Sequence, residues 1–142
     1  MNEERHIIRA AGAPEPVGSY PHARRVGDLL FLSGIGPRTR GEKAIPGVQT
    51  DADGKVIGRD IELQCRSVFD NVRQVLEEAG SSWDRLVDVT LFLTHMREDF
   101  ETYNRLYAEY FADSQPCRTT VEVKSLPTPI AIELKCVATI GG

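Results

Sequence analysis

Residues 60–93, DIELQCRSVFDNVRQVLEEAGSSWDRLVDVTLFL, decide the fold. The first part of this stretch repeats with a helical period: Ile61, Cys65, Val68, Val72, Val75, Leu76 and Ala79 recur at steps of three and four and trace one stripe. Asp60 offers the side-chain oxygen of an N-cap, Glu62 puts a carboxylate in the first turn, and Gly80 suits the left-handed residue that closes a helix. The period then changes to two. Val87, Val89, Leu91 and Leu93 alternate with Asp88, Thr90 and Phe92, which predicts a strand over Leu86–Leu93 with one well-buried face. A helix feeding directly into such a strand needs a sheet to lie against.

Downstream, residues 99–111 predict a second helix, with Phe100, Asn104, Tyr107 and Phe111 on one stripe. Two strands follow at 118–124 and 130–139, around the connection Ser125-Leu126-Pro127-Thr128-Pro129. Upstream, two short strands at 22–26 and 29–33 are hinged at Gly27-Asp28. The second ends in Ser33-Gly34-Ile35-Gly36-Pro37, where two glycines and a proline stop the strand and let a small ligand approach the backbone. Between about 38 and 58 the composition shifts to Gly, Pro, Asp, Lys and Thr. Asp53-Gly54 marks a hairpin there between Val48 and Val56-Ile57. The order β-β, excursion, α, β, α, β-β predicts one α+β domain over residues 1–142, with two helices covering one face of a mixed sheet.

Composition narrows the class. With 142 residues, 41% hydrophobic and 27% charged, the chain lies in the globular range and outside the disordered, collagenous and disulfide-scaffold ones. No apolar run approaches the roughly 20 residues of a bilayer span, and residues 1–9 carry Glu3, Glu4, Arg5 and Arg9 where a signal peptide would turn apolar. The expectation is a soluble, cytoplasmic protein with no membrane partner. A net charge of −4 argues against nucleic acid as a partner. The average hides an asymmetry: residues 1–45 hold seven basic and five acidic side chains, so the remainder carries −6. Cys65, Cys117 and Cys136, with only His6, His22 and His95 as companions, have no zinc-site spacing and form no disulfide framework.

Four polar residues stand out. Asn104 sits on the predicted apolar stripe of the second helix, where an amide needs a partner. Arg118 opens one C-terminal strand and Glu133 lies within the other, flanked by Ile132 and Leu134. If those two strands fold back about residues 126–127, Arg118 and Glu133 become cross-strand or diagonal neighbours, either as a structural ion pair or as a site. As a site, the guanidinium fork grips a carboxylate while the glutamate moves protons, its pKa raised by burial and lowered by Arg118. His22, after Tyr20-Pro21, is either a surface residue or a second acid/base or cationic group.

At these residues the chain resembles the RidA family, also called the YjgF family, of reactive-intermediate deaminases. The matching pieces are Val17-Gly18-Ser19-Tyr20, residues 27–34, Asp70-Asn71-Val72 with Glu78-Ala79-Gly80, Asp99-Phe100 through Tyr103-Asn104, and Arg118-Thr119-Thr120-Val121-Glu122-Val123 through Leu126-Pro127 to Ile132-Glu133-Leu134. The resemblance implies the chorismate-mutase-like RidA fold. It also implies a homotrimer, or a pair of such trimers, with sites between subunits and no cofactor or metal. By the same likeness Arg118 clamps a substrate carboxylate and Glu133 positions or activates water, while Tyr20, Ser33, Gly34, Asn104 and Thr120 bind substrate.

The departures point to a branch. Thr120 stands where many members carry cysteine, Pro21-His22 replaces a small residue and an amide, and Gly34-Ile35-Gly36-Pro37 replaces a Gly-Gln-Ile-Pro run. Together with Arg38, residues 45–48 and Asp60-Ile61-Glu62, these look like the branch that contains 2-aminomuconate deaminase, which acts in the breakdown of aromatic compounds. A six-carbon diacid has a distal carboxylate, for which His22, Arg38 or Arg40 is the expected partner. A general imine deaminase acting on 2-aminoacrylate-like intermediates is the alternative, and a non-catalytic ligand-binding or RNA-directed member the second.

Overall fold

The computed structural model describes residues 6–141. In chain order the elements are β1 (Ile7–Ile8), β2 (Ala23–Val26), β3 (Leu29–Leu32), β4 (Val48–Thr50), β5 (Val56–Arg59), α1 (Ile61–Ala79), a 3-10 turn at Trp83–Arg85, β6 (Leu86–Leu93), α2 (Met96–Phe111), β7 (Cys117–Glu122) and β8 (Ile132–Thr139). Six strands form one sheet in the order β1-β2-β3-β8-β6-β7, and β4 with β5 forms a separate hairpin inside the excursion. The helix deduced first has the expected ends: Asp60 accepts from Leu63 N, and Gly80 takes the left-handed conformation.

The two C-terminal strands do not pair with each other as the sequence suggested. β6 lies between them, parallel to β7 and antiparallel to β8. The β6-α2-β7 segment is a crossover unit, which makes its strands parallel, and the remaining edge of β6 is taken by β8. Residues 123–131 carry the chain past the end of β6, with Val123 N–H donating to Leu93 O and Thr94 N–H to Ala131 O. Pro127 and Pro129 have no N–H to give to a tight hairpin ladder.

Both helices cover one face. Leu30, Leu32, Val89, Leu91, Leu93, Leu134, Cys136 and Ala138 point to it and meet Val68, Phe69, Val72 and Leu76 of α1 and Tyr103 and Leu106 of α2. The register places Val26, Leu29, Phe31, Phe92, Val121 and Val137 on the opposite face, which no helix covers. On that face Val26 is 59% and Leu29 41% exposed. Among the described residues no helix is long and apolar enough to cross a membrane.

α2 starts three residues earlier than expected and is rotated relative to the predicted stripe. Its buried residues are Asp99, Tyr103, Leu106 and Phe111, whereas Phe100 and Asn104 are exposed. The rotation is explained by Asp99, a carboxylate at a buried position that hides the true stripe from a hydrophobicity reading. Arg59 at the end of β5 holds it with two hydrogen bonds of 2.8 and 2.9 Å. Glu122 supplies the acceptor for Met96 N–H at 2.9 Å, so the start of α2 is fixed from β7. His95, at the N-cap position, makes no side-chain cap bond.

The Arg59–Asp99 pair ties the hairpin to α2. Removing the arginine leaves a nearly buried carboxylate without its cation, so Arg59→Ala is expected to destabilise the protein by about 3 kcal/mol, the low end for a buried pair because Arg59 remains partly solvated. Urea unfolding measures this. A change below about 0.5 kcal/mol, the range of ordinary surface substitutions, would contradict the assigned role.

Candidate functional site

Arg118 lies on edge strand β7, opposite Val89, and therefore points to the helix-covered face. Its guanidinium sits over the rings of Tyr107, 4.8 Å from the centroid, and Tyr103, 5.5 Å away. One nitrogen donates to Asn104 Oδ1 at 2.8 Å. Asn104 is thus an exposed partner of the arginine and not a core amide. Thr120, two residues along the same face, shares a 2.7 Å hydrogen bond with the Tyr103 hydroxyl. Burial raises the pKa of both phenols, that of Tyr107 to about 12, so neutral rings face the cation. The Tyr107 hydroxyl is buried without a hydrogen-bond partner. Arg118 is itself exposed and, among the described residues, carries no carboxylate, so most of its planar fork stays open.

Glu133 belongs to a second cluster. It pairs in register with Phe92 and so faces the helix-free side. Past β3 the chain rejoins β8 at an isolated bridge between Ile35 and Leu134. Phe31 pairs with Val137, so one residue is added before that bridge, and the resulting bulge at 32–34 turns Ser33-Gly34 toward Glu133. A side chain at Gly34 would displace the glutamate: its Cβ would lie 2.8 Å from Glu133 Oε1. Ser33 donates its hydroxyl to Pro21 O at 2.7 Å and its backbone N–H to His22 O, which anchors the Tyr20–His22 segment beside the bulge. Tyr20 accepts from Val17 N–H through its hydroxyl and is 38% exposed. The crevice shared by Tyr20, His22, Ser33, Gly34 and Arg38 has a volume of only about 20 Å³.

The expected ion pair is absent. Arg118 and Glu133 lie two strands apart across the sheet and three residues apart along it, roughly 14 Å between Cα positions, and they point to opposite faces. Glu133 has its pKa raised by desolvation alone; the lowering by Arg118 anticipated from sequence does not occur.

The three basic residues considered for a distal carboxylate are placed unequally. His22 is buried, not on the surface. Ala10 N–H donates to its Nδ1 at 2.9 Å, so the proton is on Nε2, which donates to Pro14 O at 2.7 Å. Arg40 is spent on the carbonyls of Ala10 and Ala13 and on the Glu15 carboxylate. Arg38 gives one hydrogen bond to Glu15 O and otherwise lines the Tyr20–Gly34 crevice. His22 and Arg40 thus pin the segment at 10–15, and Arg38 keeps donors to spare.

Sequence reasoning missed the ring pair. Tyr103 and Tyr107 are spaced i, i+4 on α2, a pattern that reads as core until Arg118 is placed over it. Burial pushes the thiols of Cys65 and Cys136 up to about 12, and neither is a poised nucleophile. Among the described residues no group of three His, Cys, Asp or Glu side chains could hold a metal ion.

The family model described as Endoribonuclease L-PSP matches residues 10–140. A RutC family protein of Pyrococcus horikoshii is 36% identical over 137 residues, covering 94% of this chain and 97% of its own. Reactive Intermediate Deaminase A of Arabidopsis thaliana, a chloroplastic protein, is 31% identical over 137 residues, covering 96% of this chain and 67% of its own. Among solved structures, Escherichia coli TdcF with bound serine superposes with a TM-score of 0.80 at 28% identity, covering 95% of this chain and 98% of that one. With the family model spanning nearly the whole chain, and relatives above 30% identity over most of its length, the chain belongs to the Endoribonuclease L-PSP family, the RidA or YjgF family of reactive-intermediate deaminase homologues.

Proposed function

We propose that the protein is a hydrolytic enamine and imine deaminase whose site forms where two copies of the chain meet, and that its substrate is 2-aminomuconate. One observation carries this reading: a single chain presents an open guanidinium fork on one face of its sheet and a desolvated, unpaired glutamate on the other. A small substrate cannot touch both within one chain. A neighbouring copy supplies the missing half, and a closed ring of such head-to-tail contacts is a homotrimer with three equivalent sites. The helix-free face, with Val26, Leu29, Phe31 and Val121 exposed, is the apolar surface such an assembly covers. Serine bound to the TdcF relative is an amino acid with a carboxylate next to its C–N carbon, the grouping this site would grip.

In the proposed reaction Arg118 binds the carboxylate next to the C–N carbon and draws electron density from it. The enamine takes a proton on carbon and becomes the iminium ion, the protonated imine. Glu133 of the adjoining copy holds a water, which adds to the imine carbon while its proton passes to the carboxylate. Glu133 then returns that proton to nitrogen, and as ammonia leaves, the hydroxyl gives its own proton to the carboxylate, which leaves the 2-oxo hexenedioate, the keto tautomer of the 2-hydroxy dienedioate. Burial suits Glu133 to this exchange, because a raised pKa brings a carboxyl closer to neutral pH, where both its forms are accessible. Arg38, with donors left over beside Tyr20 and Gly34, favours a diacid over a monocarboxylic imine such as 2-aminoacrylate. Arg38→Ala should therefore lower kcat/KM on 2-aminomuconate at least about tenfold more than on 2-aminoacrylate. Equal losses would favour the general imine deaminase.

A mixing experiment tests the shared site. Arg118→Ala and Glu133→Gln homomers should each be inactive. When the two are unfolded and refolded together at equal concentration, mixed trimers regain one intact site each, and about a quarter of the wild-type activity should return. No recovery from correctly reassembled mixtures would exclude the shared site.

Glu133→Gln also has a stability signature. A glutamate whose folded pKa is raised makes the native state bind more protons than the unfolded chain, so stability is lost as pH rises from about 4 toward neutrality. The glutamine variant should flatten that decline and be no less stable at pH 7 while losing activity, as urea titrations at several pH values will measure. A Glu133 serving as an ion-pair partner would show the opposite pH dependence.

A further inference from the structure

One cavity contains none of the residues discussed above as candidates for the deaminase site. It is a groove of about 620 Å³ between the β4–β5 hairpin and residues 124–131, within the size range of small-molecule pockets. Its charged and titratable lining is one-sided: Arg59, His95 and Lys124 contribute, and no aspartate or glutamate does. Arg59 is neutralised by Asp99, with Glu98 also acting on it, so among the described residues the basic groups of the groove without a carboxylate are Lys124 and His95. Glu122 accepts from Met96 N–H, and Asp99 is held by Arg59. Lys124 forms no ion pair among the described residues, and His95 uses only Nδ1, on the Thr94 hydroxyl. These two basic residues lie together, because each stands two residues beyond the last paired rung of the parallel strands, Leu93 with Glu122.

Gln64 lines the same groove and is fully buried. Its Oε1 accepts from Ala131 N–H at 2.8 Å, which fixes the orientation of the amide, and its Nε2 is left without a partner. A buried donor with no acceptor costs about 1–3 kcal/mol, and a ligand oxygen would satisfy it. The rest of the lining mixes the hydroxyls of Thr94, Ser125 and Thr128 with apolar side chains, among them Val56, Ile57, Leu126 and Ile130. Ile57, in the same lining, is 65% exposed.

We propose that this groove is a binding site for a small organic carboxylate with a compact apolar body, held by Lys124, His95 and the Nε2 donor of Gln64. It is separate from the deaminase site and does not depend on that reading. The test is an NMR titration of the ¹⁵N-labelled full-length protein with benzoate, and in parallel with benzyl alcohol as the neutral analogue. Saturable shifts are expected at the amides of Lys124, Ser125 and Ala131, with a Kd of about 1 mM or tighter. They should persist in Arg118→Ala and weaken at least about tenfold for benzyl alcohol and for Lys124→Glu. Gln64→Glu keeps an acceptor for Ala131 N–H but replaces the free donor with an acceptor, and should weaken benzoate by a similar factor. If that buried substitution prevents folding, the exposed Lys124→Glu variant carries the test. Three results would overturn the proposal: no saturation up to about 10 mM, equal affinity for benzyl alcohol, or shifts confined to residues 119–121 that disappear in Arg118→Ala.

Discussion

The structure depends on β6 being paired along both edges by the last two strands of the chain, one parallel and one antiparallel to it. A parallel partner requires a long crossover, which α2 provides, and an antiparallel partner on the other edge requires the chain to pass the end of β6, which residues 123–131 do. Had β7 and β8 formed a hairpin about residues 126–127, Arg118 and Glu133 would have been cross-strand or diagonal neighbours. With β6 inserted they lie on opposite sides of a strand and on opposite faces of the sheet. The segment that passes the end of β6 also forms one wall of the large groove, so the same strand order separates the two clusters and shapes that cavity.

Separation has an electrostatic consequence. A guanidinium hydrogen-bonded to a carboxylate has its fork occupied, and the carboxylate is held ionised. Here the arginine rests on two neutral phenol rings and an amide oxygen, contacts that orient it while leaving its charge uncompensated. The glutamate sits against Gly34 with no cation, its pKa set by burial alone. Among the described residues each group is therefore left without an oppositely charged partner in its own chain. An ion pair between them would be internally satisfied and would have to be broken before a substrate could bind.

What could be read from the sequence follows from the range of the interactions involved. The ends of α1, the β4–β5 hairpin and the alternation of β6 are set by contacts within a few residues, and Asp60, Gly80 and Asp53-Gly54 announce them directly. The pairing of β7 and β8 is decided by competition for the edges of a strand some thirty residues away, and local spacing contains no trace of it. The α2 stripe was misread because Asp99, charged yet buried, is stabilised by Arg59, 40 residues earlier. His22 looked like a surface residue for the same reason: its two partners, Ala10 N–H and Pro14 O, come from a segment that carries no periodic signal.

The candidate site residues were legible as chemistry before they were legible as geometry. An arginine opening a strand, a glutamate inside one and an asparagine on a helix are departures from pattern that any assignment of elements exposes. Their arrangement is not. Gly34 illustrates the difference: in sequence it is a strand breaker, whereas in the structure its missing side chain lets Glu133 approach the bulge at the end of β3. The same logic applies to Gln64, whose amide looks like one more polar residue near a helix start. Only when Ala131 N–H fixes its orientation does it become a donor with nothing to donate to, which is a property of the folded chain and not of any stretch of it.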